Sequence, residues 1–189
     1  MNNVIDTLRL NAKVDIVDNH VQYSEHFEGE LMSIFTTPRG FSDWLEELYP
    51  SSTIVYSHYT GTFLEGVLKK KMSFNKKKLH ILIQEKTMTL LILNQYGLEF
   101  INVFHVEQPQ DCLYFILSTV KSLDLKQEEL AVIFYGDILE NSLTVGLLSR
   151  YISKISFSDS PQGLLFGEGF DEELAPHQHF ELFSSNFID

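Results

Sequence analysis

Cys112 is the only cysteine in the chain, which excludes an internal disulfide and any metal site assembled from several thiolates. Basic residues are scarce as well. Fourteen Lys and Arg stand against 26 Asp and Glu, a formal net charge of −12, so the phosphate neutralisation that drives general binding to nucleic acid or acidic membranes is missing. No apolar run approaches the roughly 18 residues needed to cross a bilayer, and Met1-Asn2-Asn3 opens no secretory leader. These absences predict a cytoplasmic protein with no nucleic-acid partner and no membrane span. G-x-S-x-G, a Cys-His pair and a Walker-type loop are also absent, and with them the short signatures of many hydrolases and P-loop nucleotide binders.

What the chain does have is material for a core. Of its 189 residues 44% are hydrophobic, fifteen are Phe and 21% are charged, a composition of folded chains. The stretch from Lys78 to Phe157 carries the pattern of a complete folding unit. Strand-like runs at Leu79 to Gln84, Met88 to Asn94 and Glu99 to Val106 come first, the last two joined by the turn residues Asn94-Gln95-Tyr96-Gly97. A helix from Pro109 to Leu125 follows. Pro109 suits its first turn, Asp111 complements its dipole, and Cys112, Ile116, Val120 and Leu123 form its apolar stripe. Leu130 to Tyr135 is apolar on both faces, as a central strand covered by helices must be. A helix from Ser142 to Ile152 and a strand from Lys154 to Phe157 close the run. Beyond it the chain turns Gly-rich and acidic, until Phe180, Leu182, Phe183 and Phe187 demand burial, so His179 to Phe187 is expected to return to the sheet as a short helix. The order β-β-β-α-β-α-β-α is that of an α/β, ribonuclease-H-like half-domain, the unit duplicated in the actin-like ATPase superfamily.

Upstream the pattern is partial. Asn2 to Leu10 reads as a helix that docks elsewhere, Val14 to Val21 as extended, and Gly29 to Thr36 as a strand. After the turn Thr37-Pro38-Arg39-Gly40, Ser42 is expected to cap a helix through Leu48 that turns Trp44, Leu45 and Leu48 inward. Thr53 to His58 alternates like a strand, and Thr60 to Met72 is helical with Phe63, Leu64, Val67 and Leu68 on one face. Residues 1–77 are thus expected to form an incomplete half-domain ahead of a complete one at 78–189. Six lysines between Lys69 and Lys78 mark the join, either as an anion or partner site or as a helix end that complements its dipole.

Several of these stretches carry a family resemblance: Phe104-His105-Val106, Asp111-Cys112-Leu113-Tyr114-Phe115, Leu123-Asp124-Leu125, Tyr135-Gly136-Asp137-Ile138, Tyr151-Ile152 and His179-Phe180-Glu181-Leu182-Phe183. Together they resemble a bacterial family, found mainly in Bacteroidetes, that is classed as a domain of unknown function. The resemblance is clearest over residues 50–189. It implies an actin-like, duplicated ribonuclease-H-like fold, similar to pilus-assembly and cell-division actin homologues. Members usually carry a further N-terminal region that supplies the first strands of the first half, so this chain is expected to be a shortened member or an incomplete one.

That resemblance sets a chemical test. An actin-like ATPase brings backbone amides against phosphates through a Gly-rich D-x-G-x-x-[ST] hairpin between its first two strands. Here the same place holds Gln84-Glu85-Lys86-Thr87-Met88-Thr89, without glycine and with an anionic Glu85. Gly136 stands where such proteins keep glycines near the adenosine. The candidate cofactor-binding residues are accordingly Glu85, Thr87, Gly136 and Asp137, with no cofactor expected to be held. A nuclease-like reading would pair Glu85 with Asp137 around metal ions. His177 and His179 form an H-x-H pair with no third metal ligand nearby, and His80 and His105 are isolated on strand patterns. The expected function is a non-catalytic, pseudo-ATPase-like actin module acting in protein–protein interaction or as a scaffold. Its partner would be another protein, or a second copy paired through an incomplete sheet edge. A nucleotide-binding member with a degenerate site is the alternative, and a metal-dependent nuclease-like enzyme a second one.

Overall fold

The computed structural model describes residues 15–26, 28–70, 77–94, 96–161, 163, 164, 167, 169 and 174–187. The helix expected at Asn2 to Leu10 lies outside them, as do Lys71 and Lys76 of the lysine run. The described residues form two sheets. Strands β1 (Asn19–His26) and β2 (Leu31–Pro38) form an antiparallel hairpin, followed by helices α1 (Arg39–Leu48) and α2 (Tyr59–Lys69). The larger sheet comprises β3 (Lys78–Gln84), β4 (Thr87–Asn94), β5 (Gly97–His105), β6 (Ala131–Gly136) and β7 (Lys154–Phe157), in the order β5-β4-β3-β6-β7. Its first three strands are an antiparallel meander, and β6 and β7 add in parallel. Helix α3 (Pro109–Ser122) and helix α4 (Leu143–Leu148) lie in the crossovers, and α5 (Phe180–Phe183) with a 3-10 turn at Ser184–Phe187 ends the described chain.

Why the middle strands read as unbroken apolar runs is now visible. Leu79 and Ile81 of β3, Met88, Leu90 and Ile92 of β4, and Val132 and Phe134 of β6 point to one face, where α3 and α4 bring Cys112, Ile116, Val120 and Leu148. Leu82, Leu91, Leu93 and Tyr135 point to the other, where α2 brings Phe63, Leu64 and Val67 and α5 brings Phe180. Period-two alternation still operates, but both faces are dry, so it leaves no polar signature. Helix α3 starts as expected and is more firmly closed than a dipole argument requires. Pro109 occupies its first turn, and the Asp111 carboxylate accepts the backbone N–H groups of Glu107 and Gln108, both at 3.0 Å.

Four expectations need correction. Thr53 to His58 forms no strand. Its alternating residues are not paired in either sheet, and the Tyr56 carbonyl instead accepts a bond from the Ser24 hydroxyl. The paired part of the first hairpin strand begins at Asn19, later than the extended stretch read from Val14 to Val21. The helix read as Ser142 to Ile152 already ends at Leu148, although Ser142 does cap it. Helix α1 begins at Arg39 rather than beyond Ser42, and it is turned the other way. Ser42 is fully buried and bonds to the Pro38 and Arg39 carbonyls and to His20, whereas Trp44 and Leu48 are 54% and 52% exposed.

Helix α2 contains Gly66 in mid-helix, where Ala would ordinarily be about 1 kcal/mol better. A Cβ at Gly66 would fall 2.0 Å from Ser184 Oγ and 2.6 Å from Phe180 Cε1, so the glycine sets how closely α2 and the C-terminal segment approach. Gly66→Ala should therefore lower stability in urea unfolding by about 1–3 kcal/mol, against the propensity trend. Ser184→Gly added to it should recover part of the loss, and a Gly66→Ala protein as stable as the parent would refute this packing.

Candidate functional site

The four candidate residues lie at one end of the larger sheet. Glu85 and Lys86 form the two-residue turn between β3 and β4, where Gln84 pairs with Thr87 and the Thr87 hydroxyl donates to the Gln84 carbonyl at 3.1 Å. Glu85 is in the left-handed region, with φ of 41°, an uncommon conformation for a residue with a Cβ. In parallel register Ile83 of β3 stands beside Gly136 of β6, and the Asp137 N–H donates to the Ile83 carbonyl at 2.8 Å. Glu85 and Asp137 have exposed side chains, while Gly136 is buried. Gly136 has φ of 82°, and a Cβ there would lie 2.1 Å from the Ile83 carbonyl oxygen. That accounts for the glycine through strand contact and conformation.

The C-terminal segment covers this end. The Gly136 N–H donates to the His177 carbonyl at 2.8 Å, and His177 Nε2–H donates to the Ile138 carbonyl at 2.8 Å. The H-x-H pair is thereby divided: His177 is a buried strut, and His179 takes a left-handed conformation before α5. Gln84 Nε2 donates to Glu181 Oε1 at 2.9 Å, while Glu181 Oε2 is buried without a partner. A cavity of about 230 Å³ remains beside them, lined by Ser57, Tyr59, Thr62, Gln84, Glu181 and Leu182 among others. Its edge is anionic, which opposes a phosphate. A larger cavity of about 450 Å³ lies at the other end of the strands, around Lys77, Asp124, Lys126, Glu129 and Lys154. Its cations are already engaged. Lys77 pairs with Glu99 at 2.5 Å, Lys126 with Glu129 at 3.4 Å, and Lys154 donates to the Glu128 carbonyl at 2.9 Å.

Two polar constellations escaped sequence reasoning, because each joins residues far apart in the chain. In the first, Ser33 Oγ lies 2.8 Å from His26 Nε2, and His26 Nδ1 lies 3.2 Å from Glu65 Oε1. The connectivity is that of a nucleophile, a base and an orienting carboxylate. The surroundings are not. Gly61 roofs the imidazole so closely that a Cβ there would be 2.8 Å from Cε1 and Nε2 and 3.3 Å from Ser33 Oγ, which leaves a substrate carbonyl no room. This chain of bonds fastens the hairpin to α2. Among the described residues, no group of three His, Cys, Asp or Glu side chains is arranged to hold a metal ion.

The second constellation threads the apolar face under α2. Lys70 Nζ donates to Ser158 Oγ and, at 2.7 Å, to the Asp159 carbonyl, and it sits 4.9 Å from the centre of the Phe180 ring. Burial lowers its pKa to about 8, partly opposed by Asp159. Tyr135, held protonated by burial, is hydrogen-bonded to His80 Nδ1 at 2.8 Å. Burial, then Lys78 and Lys70, push His80 down to about 3.

A mixed five-stranded sheet with helices on both faces makes this an α/β protein, and its fold is actin-like. A family model described as "Protein of unknown function (DUF3822)" matches residues 2–155, and the chain belongs to that family. No protein of curated function matches it. Among solved structures it is similar to a Bacteroides thetaiotaomicron protein with an actin-like ATPase fold and unknown function, at 15% identity and a TM-score of 0.77. That likeness covers 100% of this chain and 66% of the other, so the chain spans just under two thirds of that relative's length. It is also similar to a chain of the PilM–PilN type IV pilus biogenesis complex, at 11% identity and a TM-score of 0.61, covering 100% of this chain and 72% of that one. At these identities the likeness concerns the fold.

The histidine makes a pH prediction. His80 is neutral in the folded core down to about pH 3 but takes a proton near 6.5 when unfolded. Between those values the unfolded chain holds the extra proton, so stability falls as pH drops, by up to about 1.4 kcal/mol per pH unit from this residue. His80→Gln keeps a partner for Tyr135 without titrating, and its acid-unfolding midpoint should move to lower pH. An unchanged midpoint would mean that His80 is already charged in the native core.

Proposed function

We propose that this chain is a non-catalytic actin-like module that acts as a protein-interaction or scaffold element. The observation that carries this reading is the covered sheet end. Gly136 gives its N–H to the His177 carbonyl, and its missing Cβ makes room for the Ile83 carbonyl rather than for a ligand. The residues that would cradle a phosphate instead serve a turn. Glu85 supplies negative charge where backbone amides would be needed, and Glu181 adds a second carboxylate behind Gln84. Glu85, Thr87, Gly136 and Asp137 are, on this reading, structural remnants of a nucleotide site.

Interaction rather than turnover is supported from two sides. The β1–β2 hairpin pairs with no third strand among the described residues, so it offers unpaired edges to a protein partner or a second copy. One of the similar folds functions inside a protein complex, as its name states. We read residues 1–77 as an incomplete first half and 78–189 as a complete second half, with α2 lent to the second sheet. No described helix is long and apolar enough to cross a membrane, and the acidic chain with a single free cysteine suits the cytoplasm.

Thermal unfolding with ligands tests the reading. A ligand at 100 times its dissociation constant adds about 2.7 kcal/mol, and we expect no such shift with ATP and magnesium or with manganese alone. An ATP-dependent shift that Glu85→Ala or Asp137→Ala abolishes would establish nucleotide binding instead. A shift with manganese alone would favour the metal-dependent reading around Glu85 and Asp137.

A further inference from the structure

We infer that the outward face of α1 is a docking surface for a cationic amphipathic helix of a partner polypeptide. The inference rests on the interaction reading above and names its surface and the partner's chemistry. Helix α1 is amphipathic in the wrong sense for an isolated chain. Phe41, Trp44 and Leu48, spaced i, i+3 and i+7, fall on one side and are 50%, 54% and 52% exposed, while the side against the hairpin is marked by buried Ser42. A stripe of two aromatic residues and a leucine left in water on a helix is the arrangement that helix-on-helix recognition uses.

Charge selects the occupant. Helix α1 itself carries three carboxylates, Asp43, Glu46 and Glu47, and a single cationic side chain, Arg39. Arg39 is already engaged with His20 Nε2 at 2.5 Å and with the Val17 carbonyl at 3.1 Å. Exposed Asp43 and Glu47 run along one flank of the stripe, and Glu46 is also exposed. This field repels anionic lipid and nucleic acid. It also opposes a second copy, because two such helices face to face would bring their acidic flanks together. A helix with leucine-like residues on one face and Lys or Arg beside them satisfies both the apolar stripe and the carboxylates.

Trp44 is the only tryptophan in the chain, so its emission reports cover on this face directly. The probes are two synthetic helical peptides of about 18 residues, roughly five turns. One is built from Leu and Lys, the other from Leu and Glu in the same pattern. The Leu/Lys peptide is expected to shift Trp44 emission to the blue and shield it from acrylamide, with an affinity that falls as salt rises. The Leu/Glu peptide should do neither. Phe41→Ser with Leu48→Ser should weaken the Leu/Lys affinity at least tenfold while the thermal unfolding midpoint stays in place. The inference is overturned by no shift with Leu/Lys, by an equal shift with Leu/Glu, or by undiminished affinity in the double variant. Sedimentation showing the free chain as a dimer with Trp44 already shielded would also overturn it, in favour of a second copy. None of these results depends on the nucleotide titration, so failure of this surface and failure of the non-catalytic reading are separately visible.

Discussion

A five-stranded sheet with two apolar faces has to be covered twice, and the second cover is what the rest of this molecule depends on. It is made by elements from either side of that sheet in the sequence. Phe63 of α2 meets Tyr135 of β6 edge-on at 5.0 Å, Phe180 of α5 meets Tyr135 at 4.7 Å, and Phe63 and Phe180 stand 6.3 Å apart. All three rings are fully buried. Removing such a ring from a core costs about 3–5 kcal/mol, a large part of the roughly 5–15 kcal/mol that holds a typical domain together. The closed sheet end follows from this packing. Once Phe180 is seated on Tyr135, the residues just before and after it lie across the ends of β3 and β6, where the His177 carbonyl meets Gly136 and Glu181 meets Gln84.

A polar thread inside an apolar face looks wasteful, because each buried donor or acceptor loses water before it gains a partner. Here it fixes the relation of elements that apolar contact alone would let slide. Lys70 follows directly on α2, and its ammonium finds the Ser158 hydroxyl and the Asp159 carbonyl just past β7. A shift of α2 by one turn would strand that charge among aromatic rings. The His26–Glu65 and His26–Ser33 bonds hold the hairpin to α2 in the same way.

The elements from Lys78 to Phe157 were legible because each repeats a local pattern long enough to read. The strand at Lys154–Phe157 and the folded-back helix at Phe180 follow from residue type and spacing, and Pro109 with Asp111 announces the start of α3. The location of Glu85 and Gly136 at one sheet end followed from the same order. What escaped was whatever depends on a distant neighbour. Thr53 to His58 alternates like a strand, but alternation supplies no partner strand, and no backbone ladder formed there. The stripe of α1 was plain in the sequence and its direction was not, since periodicity gives the angle between residues and never the side on which the protein lies. Ser42 held the missing information: a small hydroxyl that can return bonds to Pro38 and Arg39 and meet His20 can be buried at lower cost than Asp43 or Glu47. The covering of Gly136 by His177 joins residues far apart in the chain and has no local signal at all.

On the proposed non-catalytic reading, these features move the point of action from the sheet end to the surface. Gly136 is covered by the His177 carbonyl, its neighbours Glu85 and Glu181 are carboxylates, and the outward side of α1 is exposed. Helix α1 has 10 residues, a length that is marginal on its own, and polar links such as Ser42 to His20 contribute only about 1 kcal/mol each. Burying Phe41, Trp44 and Leu48 would contribute about 1.5–3 kcal/mol per side chain. The larger stabilisation available to α1 is therefore intermolecular, so a partner that covers the stripe also firms the helix presenting it. Recognition and local folding are coupled at that surface, and they require no phosphate chemistry from the sheet beneath.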